Sequence, residues 1–462
     1  MAYLGSTPEN QSFTSGTDYF NGDGISVAFT LSRPVASVND IEVVISNVVQ
    51  QPSTAYNVSG TTITFTSAPP AGTANVYARY MSTATQTITP SPGTVGTSQL
   101  SPSLTNVPFF GGSTIGAGNA TGMKNHIING GMVVDQRNAG ASVNTTLTNA
   151  YTVDRWRYGA SQTSKFTVQQ NAGSVTPPTG FTKYLGVTSS SAYSVLSSDY
   201  FRIAQAVEGF NIADLGWGTA NAKTITLSFL ARSSLTGTFG GALVNANNNR
   251  SFPFTYTISS ANTWEQKAVT ITGDTTGTWA TDNTVGIQLQ FGLGVGTTYS
   301  GTAGAWAAGL YVSATGATSV VGTSGATFYV TGVQLEEGNA ATSFEFRPYG
   351  TELVLAQRYY QQIKGAGRHF IAGNGSVSQC FPTMYLRVTM RDTCSFSFSS
   401  LSHFTIEGLT GGGQSIATGL SLNAATLDTV TIQASSGGST SATAAQVFGN
   451  TAAAVSGFSA EL

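Results

Sequence analysis

Four aromatic residues in the middle of the chain have the surroundings expected of a sugar-binding platform. Trp217 (LGWG), Trp279 (GTWA) and Trp306 (GAWA) stand among small residues, and Tyr299 lies in the same region. A flat ring can stack on the apolar face of a pyranose while nearby polar groups bind its hydroxyls. The pattern predicts a carbohydrate-binding site at Trp217, Trp279, Tyr299 and Trp306. Core packing or a contact with another copy remains open for each ring.

The sequence contains no recognisable metal-binding, nucleophile or nucleotide-binding motif. His126, His369 and His403 are far apart, and none has a cysteine at metal-binding spacing. The chain has neither a nucleophile elbow nor a Walker loop. We therefore expect no catalytic residue, no metal site and no cofactor.

Glycoside hydrolysis would need two carboxylates about 5–10 Å apart. Acidic residues are sparse in the middle region, and Asp154 and Glu336 have the sequence context of structural partners. No repeat of β-helix coil length is present. We expect a protein that is not an enzyme. A polysaccharide depolymerase is the alternative, and release of reducing ends would distinguish it.

Composition favours strands with hydroxyl-rich outer faces. Only 9% of the 462 residues are charged, against about 25% in ordinary globular proteins. The net charge is −2 without a basic run, which argues against nucleic-acid binding. No stretch of 18 apolar residues occurs, so we expect no membrane span. The first residues lack the pattern of a secretion signal.

The N-terminal segment predicts a small β-domain over residues 1–86. Within 18–24 (DYFNGDG), residues 21–24 (NGDG) predict a tight turn, and period-two strands follow at 27–34 (VAFTLSRP) and 39–45 (NDIEVVI). Another strand is expected near 62–65. The segment resembles a β-module of bacteriophage tail fibres and other virion proteins. That resemblance implies attachment to the phage tail or baseplate.

A linker and a larger β-domain are expected next. Residues 87–123 are rich in Pro, Gly, Ser and Thr and predict a partly extended spacer. Residues 124–350 contain NHIINGGM at 125–132, YTVDRW at 151–156 and FYVTGVQLEEG at 328–338. Thr-rich strands broken by Gly and Asn are typical of a β-sandwich. The region resembles the carbohydrate-binding-module-like jelly roll of phage tail proteins.

One helix is predicted near residues 351–364, within a connecting segment 351–365. Pro348 precedes it, and Gly365 is placed to end it. Its apolar stripe would consist of Leu353, Ala356, Tyr360 and Ile363. Such a short helix must pack on something. The alternatives are its own domain or a three-fold bundle with other copies.

The region 366–462 predicts a C-terminal β-domain, with alternation at 384–390 (MYLRVTM) and 394–398 (CSFSF). Cys380 and Cys394 are the only cysteines. Assembly in a reducing cytoplasm favours two free, buried thiols over a disulfide. By its position in a tail fibre, this region would form the receptor-binding tip.

Together the sequence predicts an all-β chain of several β-sandwich or jelly-roll domains in series. The resemblance identifies a bacteriophage tail fibre: a homotrimer, made in the host cytoplasm and assembled into the virion. It would attach by its N-terminus to the tail or baseplate and bind a host cell-surface glycan. A tailspike depolymerase and a capsid-attached fibre or decoration protein are the alternatives.

Overall fold

Antiparallel strands form nearly all of the regular structure in this computed structural model, which confirms the predicted all-β class. The chain divides into two units, Met1–Asn106 and Val107–Leu462. The predicted linker 87–123 lies outside the described residues apart from Met123. The structure describes residues 16–81, 123–147, 149–373, 375–376, 379–408, 415–436 and 445–462.

The N-terminal unit is a six-stranded β-domain. Its strands are β1 Thr17–Gly22, β2 Ala28–Val35, β3 Ile41–Ile45, β4 Val48–Val49, β5 Tyr56–Phe65 and β6 Gly72–Tyr80, with a 3₁₀ turn at Val38–Asp40. One sheet has the order β1-β6-β3-β4, and β2 pairs with β5. The apolar side chains that alternate along these strands, such as Leu31, Ile63 and Val76, form a separate core.

Hydrogen bonds to the Asp18 carboxylate connect three strands of this domain. Its carboxylate accepts hydrogen bonds from the Ser32 amide at 2.6 Å and the Tyr80 hydroxyl at 2.5 Å. The predicted turn is also present, because Gly24 has a φ of 75° and the Asp23 carboxylate accepts from the Ser26 amide at 2.6 Å. Asp23 and Gly24 therefore form the predicted turn, whereas Asn21 and Gly22 end strand β1.

The second unit begins with a β-sandwich. Its strands are β7 Val143–Asn144, β8 Ala150–Tyr151, β9 Arg157–Ala160, β10 Phe166–Gln170, β11 Leu185–Ser189, β12 Tyr200–Glu208, β13 Ile225–Ser233, β14 Gly237–Asn245, β15 Arg250–Ile258, β16 Glu265–Ile271, β17 Val285–Val295, β18 Ser300–Gly301, β19 Ala307–Ala308, β20 Ser313–Ala314 and β21 Thr327–Glu337. A six-stranded sheet has the order β16-β13-β21-β11-β10-β7. A seven-stranded sheet has the order β19-β15-β14-β17-β12-β9-β8.

The two sheets enclose one hydrophobic core. In β17, Leu289 and Phe291 belong to this core, whereas Gln288 and Gln290 alternate with them and face the other side of the sheet. Trp156 is fully buried and stacks on Phe291 with ring centroids 6.4 Å apart. The outer side of the seven-stranded sheet is therefore lined by polar and small side chains.

The helix is shorter than predicted, and the prediction that it continues to residue 364 is wrong. Helix α1 spans Tyr349–Gln357, and residues Tyr360–Lys364 form strand β22, which pairs with β32, Val455–Ser459. The five-residue ladder to β32 satisfies backbone groups that a longer helix would have used. An aromatic residue such as Tyr360 also suits a strand better than a helix.

The predicted apolar stripe is consequently divided between two elements. Leu353 and Ala356 lie on α1, whereas Tyr360 and Ile363 lie on β22. Ala356 and Tyr360 are buried within the protomer, and Ile363 packs against the C-terminal core. Ala356, Tyr360 and Ile363 thus pack within their own chain, which was one of the two alternatives for this segment.

The C-terminal part carries a core of its own. Its remaining strands are β23 Gly367–Gly373, β24 Gly375–Ser376, β25 Gln379–Cys380, β26 Thr383–Tyr385, β27 Ser395–Phe398, β28 Phe404–Gly408, β29 Ser415–Ala425, β30 Thr429–Ser436, β31 Ala445–Gly449 and β32. One sheet has the order β22-β32-β27, and the other runs β23-β31-β28-β29-β30-β25-β24, with β26 on β30. Cys380 and Cys394 are buried and unpaired, as predicted.

Within the described residues, no helix is long and apolar enough to cross a membrane. The same part of the chain contains no group of three or more His, Cys, Asp or Glu side chains arranged to hold a metal ion.

Candidate carbohydrate-binding site

Three of the four predicted aromatic residues meet at one end of the sandwich. Trp217 follows the 3₁₀ turn Ala213–Leu215, Trp279 lies between β16 and β17, and Trp306 precedes β19. The ring centroids are 4.8 Å apart for Trp217 and Trp279, 5.3 Å for Trp217 and Trp306, and 5.2 Å for Trp279 and Trp306. All three contacts are edge-to-face, the favoured geometry for aromatic pairs. We call this group the tryptophan trio.

Each indole N–H of the trio is already used inside the protein. Trp217 donates to the Lys223 carbonyl at 2.8 Å, Trp279 to the Thr276 carbonyl at 3.1 Å, and Trp306 to the Thr272 carbonyl at 2.7 Å. These bonds fix the ring orientations. A ligand could therefore use only ring surfaces, not the N–H groups.

The three rings differ in exposure. Trp217 and Trp279 are only 6% and 8% exposed, so they pack in the core, which was one of the alternatives for these residues. Trp306 is half-buried and rests on Phe252, with ring centroids 5.3 Å apart. Of the trio, Trp306 is the ring that retains surface for a ligand.

The small residues beside these tryptophans serve close packing. Gly218 and Gly277 have φ values of 82° and 79°. A Cβ at Gly218 would lie 2.9 Å from the Gly277 carbonyl oxygen, and a Cβ at Gly277 would lie 2.8 Å from Arg250 Cγ. The glycines that suggested open loops thus allow the loops of Trp217 and Trp279 to touch.

A fixed guanidinium lies beside the trio. Arg250 Nε and Nη2 donate to the two oxygens of Asp274 at 2.8 and 2.7 Å, and Thr276 also donates to Asp274 through its amide. Burial opposes ionisation of Asp274, but these hydrogen bonds outweigh it and hold its pKa below the usual range. Arg250 pairs across the strands with Ala308, two residues after Trp306.

Tyr299 lies apart from the trio. Within the described residues its ring contact is with Tyr200, at 5.4 Å between centroids and nearly perpendicular. Tyr200 begins β12, and the Arg202 guanidinium lies 5.3 Å from the centre of the Tyr200 ring. The predicted four-residue site is therefore divided into the trio and a separate tyrosine pair.

An aromatic cavity of about 200 Å³ lies next to α1 and was not predicted from the sequence. Phe181, Phe344 and Phe346 meet there with centroid distances of 5.1, 5.1 and 4.9 Å. Glu345 and Glu352 also line the cavity. The alternation of Phe344, Glu345 and Phe346 was the available signal, but the partner Phe181 is remote in sequence.

The two glutamates of this cavity have structural partners. Glu345 accepts a hydrogen bond from the Asn125 amide at 2.9 Å, and Glu352 accepts one from the Asn129 amide. Burial raises the pKa of Glu352, although the Asn129 amide and Arg347 act in the opposite direction. Both carboxylates therefore tie the segment before the sandwich to the segment around α1.

A second cavity, about 290 Å³, lies on the other side of Arg347. Its lining includes His126, Phe210, Asp214 and Leu355. His126 Nδ1 lies 2.6 Å from the Asn211 carbonyl oxygen, so the histidine holds the loop around Asn211 in place.

No family model and no curated protein matches the sequence. Similar solved structures include the enzymatically active domain of tailspike protein 4 of bacteriophage CBA120, at 12% identity and a TM-score of 0.27. The match covers 46% of this chain but only 21% of the tailspike chain.

Two further similar structures come from Clostridium thermocellum. The family 11 carbohydrate-binding module of cellulase Lic26A-Cel5E matches at 13% identity and a TM-score of 0.23, covering 44% of this chain and 98% of the module. The CBM22-1-GH10 modules of xylanase 10B, complexed with xylohexaose, match at 15% identity and a TM-score of 0.21, covering 44% and 30% of the respective chains.

Proposed function

We propose that this chain is a bacteriophage tail-fibre protein that binds a host cell-surface glycan without cleaving it. The observation that carries glycan binding is the half-buried Trp306 ring, held by Trp217 and Trp279 beside Arg250. The apolar face of a pyranose would stack on Trp306. The Arg250 guanidinium, oriented by Asp274, would donate to sugar hydroxyls.

Attachment to the virion is assigned to the N-terminal unit. Its six strands enclose a separate core, and the sequence from Asp18 to Tyr80 resembles an attachment module. A fibre would present several copies of the second unit. Weak sites on these copies would then gain avidity through their high effective concentration.

The test compares full-length wild type with W306A on a panel of bacterial surface polysaccharides. W264A is the matched control, because Trp264 is half-buried elsewhere, 5.5 Å from the Tyr184 ring centroid. We expect W306A to bind at least about fivefold more weakly, since losing a stacked aromatic ring costs roughly 1–3 kcal/mol where nucleic-acid bases stack on such rings. Binding by W306A equal to wild type would refute the assigned site. Absence of polysaccharide binding by wild type would refute the function.

A depolymerase is the second candidate, favoured by Glu345 and Glu352 at the aromatic cavity. Both contact Arg347, at 3.1 and 3.6 Å. A buried glutamate with a raised pKa, such as Glu352, is suited to general acid catalysis. We expect no release of reducing ends from any polysaccharide that the protein binds. Release that disappears in E352Q would establish the depolymerase instead.

A further inference from the structure

The outer side of the seven-stranded sheet carries two arginines that lack an acidic partner. Arg157 lies on β9 and Arg202 on the neighbouring strand β12, where Arg157 pairs with Ala204 and Arg202 with Gly159. Cross-strand partners share a face, so the two guanidinium groups project to the same side as diagonal neighbours. Among the described residues, no Asp or Glu side chain lies within 4 Å of either guanidinium.

The Arg202 guanidinium presents a free two-donor edge. Its Nη1 donates to Gln290 Oε1 at 2.6 Å, and Nε and Nη2 donate to nothing in the described part of the chain. Gly159 makes room for this edge, because a Cβ there would lie 2.7 Å from Arg202 Nε. An Nε–Nη2 edge is the geometry with which arginine binds a carboxylate through two parallel hydrogen bonds.

Buried polar atoms around this edge also lack partners. Gln290 is fully buried, and its Nε2 has no hydrogen-bond partner. The same holds for Ser313 Oγ, which lies over Gly292, the residue that pairs with Arg202. Arg157 Nε is also buried without a partner, while its Nη atoms donate to Gln288 and to the Leu462 oxygen. Unsatisfied buried donors are costly. These donors have almost no exposed surface, so a ligand at the Arg202 edge would lie near their partial positive charges without contacting them.

The electrostatics of this surface favour an anion. Burial lowers the pKa of Arg202 to about 10, and the neighbouring charge of Arg157 adds to the effect. Two neighbouring half-buried cations that no Asp or Glu side chain contacts destabilise each other. A bound carboxylate would remove that repulsion.

Aromatic surface completes the site. The half-buried rings of Tyr200 and Tyr299 meet at 5.4 Å next to Arg202. Tyr299 is the one predicted platform residue that lies outside the tryptophan trio. A sugar ring attached to the carboxylate could pack against this tyrosine pair.

We propose that the Nε–Nη2 edge of Arg202, supported by the charge of Arg157 and the buried donors of Gln290 and Ser313, binds the carboxylate of an acidic sugar against the Tyr200–Tyr299 pair. This acidic-sugar site is distinct from the Trp306 surface, and it rests on the proposed glycan-binding function.

The experiment uses the full-length protein on a glycan array in which each neutral hexose oligosaccharide is paired with its uronate counterpart. Wild type should bind at least one uronate more tightly than its neutral partner. R202Q should weaken uronate binding at least about tenfold, and R202K should lie between, because it keeps the charge but loses the two-donor edge. R232Q is the matched control, since Arg232 lies on β13 of the other sheet and donates to the Asn262 carbonyl.

The outcomes separate this inference from the proposed function. The acidic-sugar site is overturned if R202Q binds the uronate as tightly as wild type, or if wild type binds only neutral oligosaccharides. In either case, glycan binding that is weakened in W306A would still support the proposed function. Failure of every saccharide to bind overturns both. Should R202Q not fold, a rise in the wild-type melting temperature with the uronate but not with its neutral partner supports the site, and equal shifts refute it.

Discussion

Glu208 and Arg358 form a two-point ion pair across 150 residues of sequence. Arg358 Nε and Nη2 donate to the Glu208 carboxylate at 3.0 and 2.6 Å, and the Tyr359 hydroxyl donates to it at 2.7 Å. Glu208 ends β12 of the sandwich, and Arg358 follows α1 directly. The pair therefore joins the sandwich to the segment that leads into the C-terminal sheets.

Removing the Glu208 charge should weaken the second unit. In E208Q, Arg358 loses its charged partner and the buried Tyr359 hydroxyl loses a strong acceptor. We expect a loss of about 2–3 kcal/mol in the free energy of unfolding, measured by urea denaturation. The Lys223–Glu337 pair is more exposed, so the control K223Q should cost less than about 1 kcal/mol. Equal effects of the two variants would contradict the importance of the Glu208 pair.

Stability should also depend on Asp154. Burial raises its pKa to about 7, against the opposing effects of Arg137 and Gln136. Between the unfolded pKa near 3.8 and the folded value of about 7, the folded protein holds a proton that the unfolded chain releases. The contribution of this group to stability is therefore present below pH 4 and declines as pH rises to 7.

The Asp154 effect can be isolated by comparison with D154N. The melting temperature of wild type relative to D154N should fall by about 5 °C or more between pH 5 and pH 8. The comparison cancels other titrating groups, such as His369, whose pKa is lowered by burial. Parallel pH profiles for the two proteins would show that Asp154 is ionised throughout this range.

The two thiols should be inert in the native protein. Burial raises the pKa of Cys380 to about 11 and also raises that of Cys394. At pH 8 only about 0.1% of Cys380 would be thiolate. Mass spectrometry after iodoacetamide treatment should show no alkylation of the native protein and two additions after unfolding. A mass 2 Da lower without reductant would reveal a disulfide and contradict the structure.

Tyr360 should affect stability rather than oligomeric state. Its ring is buried, and the Arg137 guanidinium lies 3.6 Å from the ring centre. Y360A should lose about 3 kcal/mol of unfolding free energy. The homotrimer that the tail-fibre resemblance implies would have a mass of about 143 kDa, from three 47.7 kDa chains. Light scattering should give the same mass for wild type and Y360A. If Y360A dissociates into smaller species, Tyr360 contributes to the contact between copies.

Local patterns were sufficient for the elements of the N-terminal unit. Gly24 turns the chain as predicted for 21–24, although Asn21 and Gly22 still belong to β1. Strands Ala28–Val35 and Ile41–Ile45 overlap the predicted strands at 27–34 and 39–45. Such features depend on neighbours in the chain, on backbone φ requirements and on one buried face. The burial of both cysteines was likewise predictable from their chemistry.

The helix boundary could not be predicted locally. Residues 360–363 have apolar spacing that suits a helix, but the strand Val455–Ser459 supplies a ladder for them from about ninety residues away. Propensity is a weak preference, and a complete set of backbone hydrogen bonds to a remote strand outweighs it. The predicted stripe of Leu353, Ala356, Tyr360 and Ile363 was divided for this reason.

The sequence by itself determined the all-β class, the first β-domain and the aromatic residues that are candidates for sugar binding. Only the tertiary structure decided which of those rings retain surface and which polar groups lie beside them. In the folded chain Trp217 and Trp279 are buried, and Trp306 is half-buried beside Arg250. Tyr299 lies apart from them, against Tyr200 and near Arg202. The physical reason is that exposure and ion pairing depend on strand register and loop packing between segments far apart in the chain.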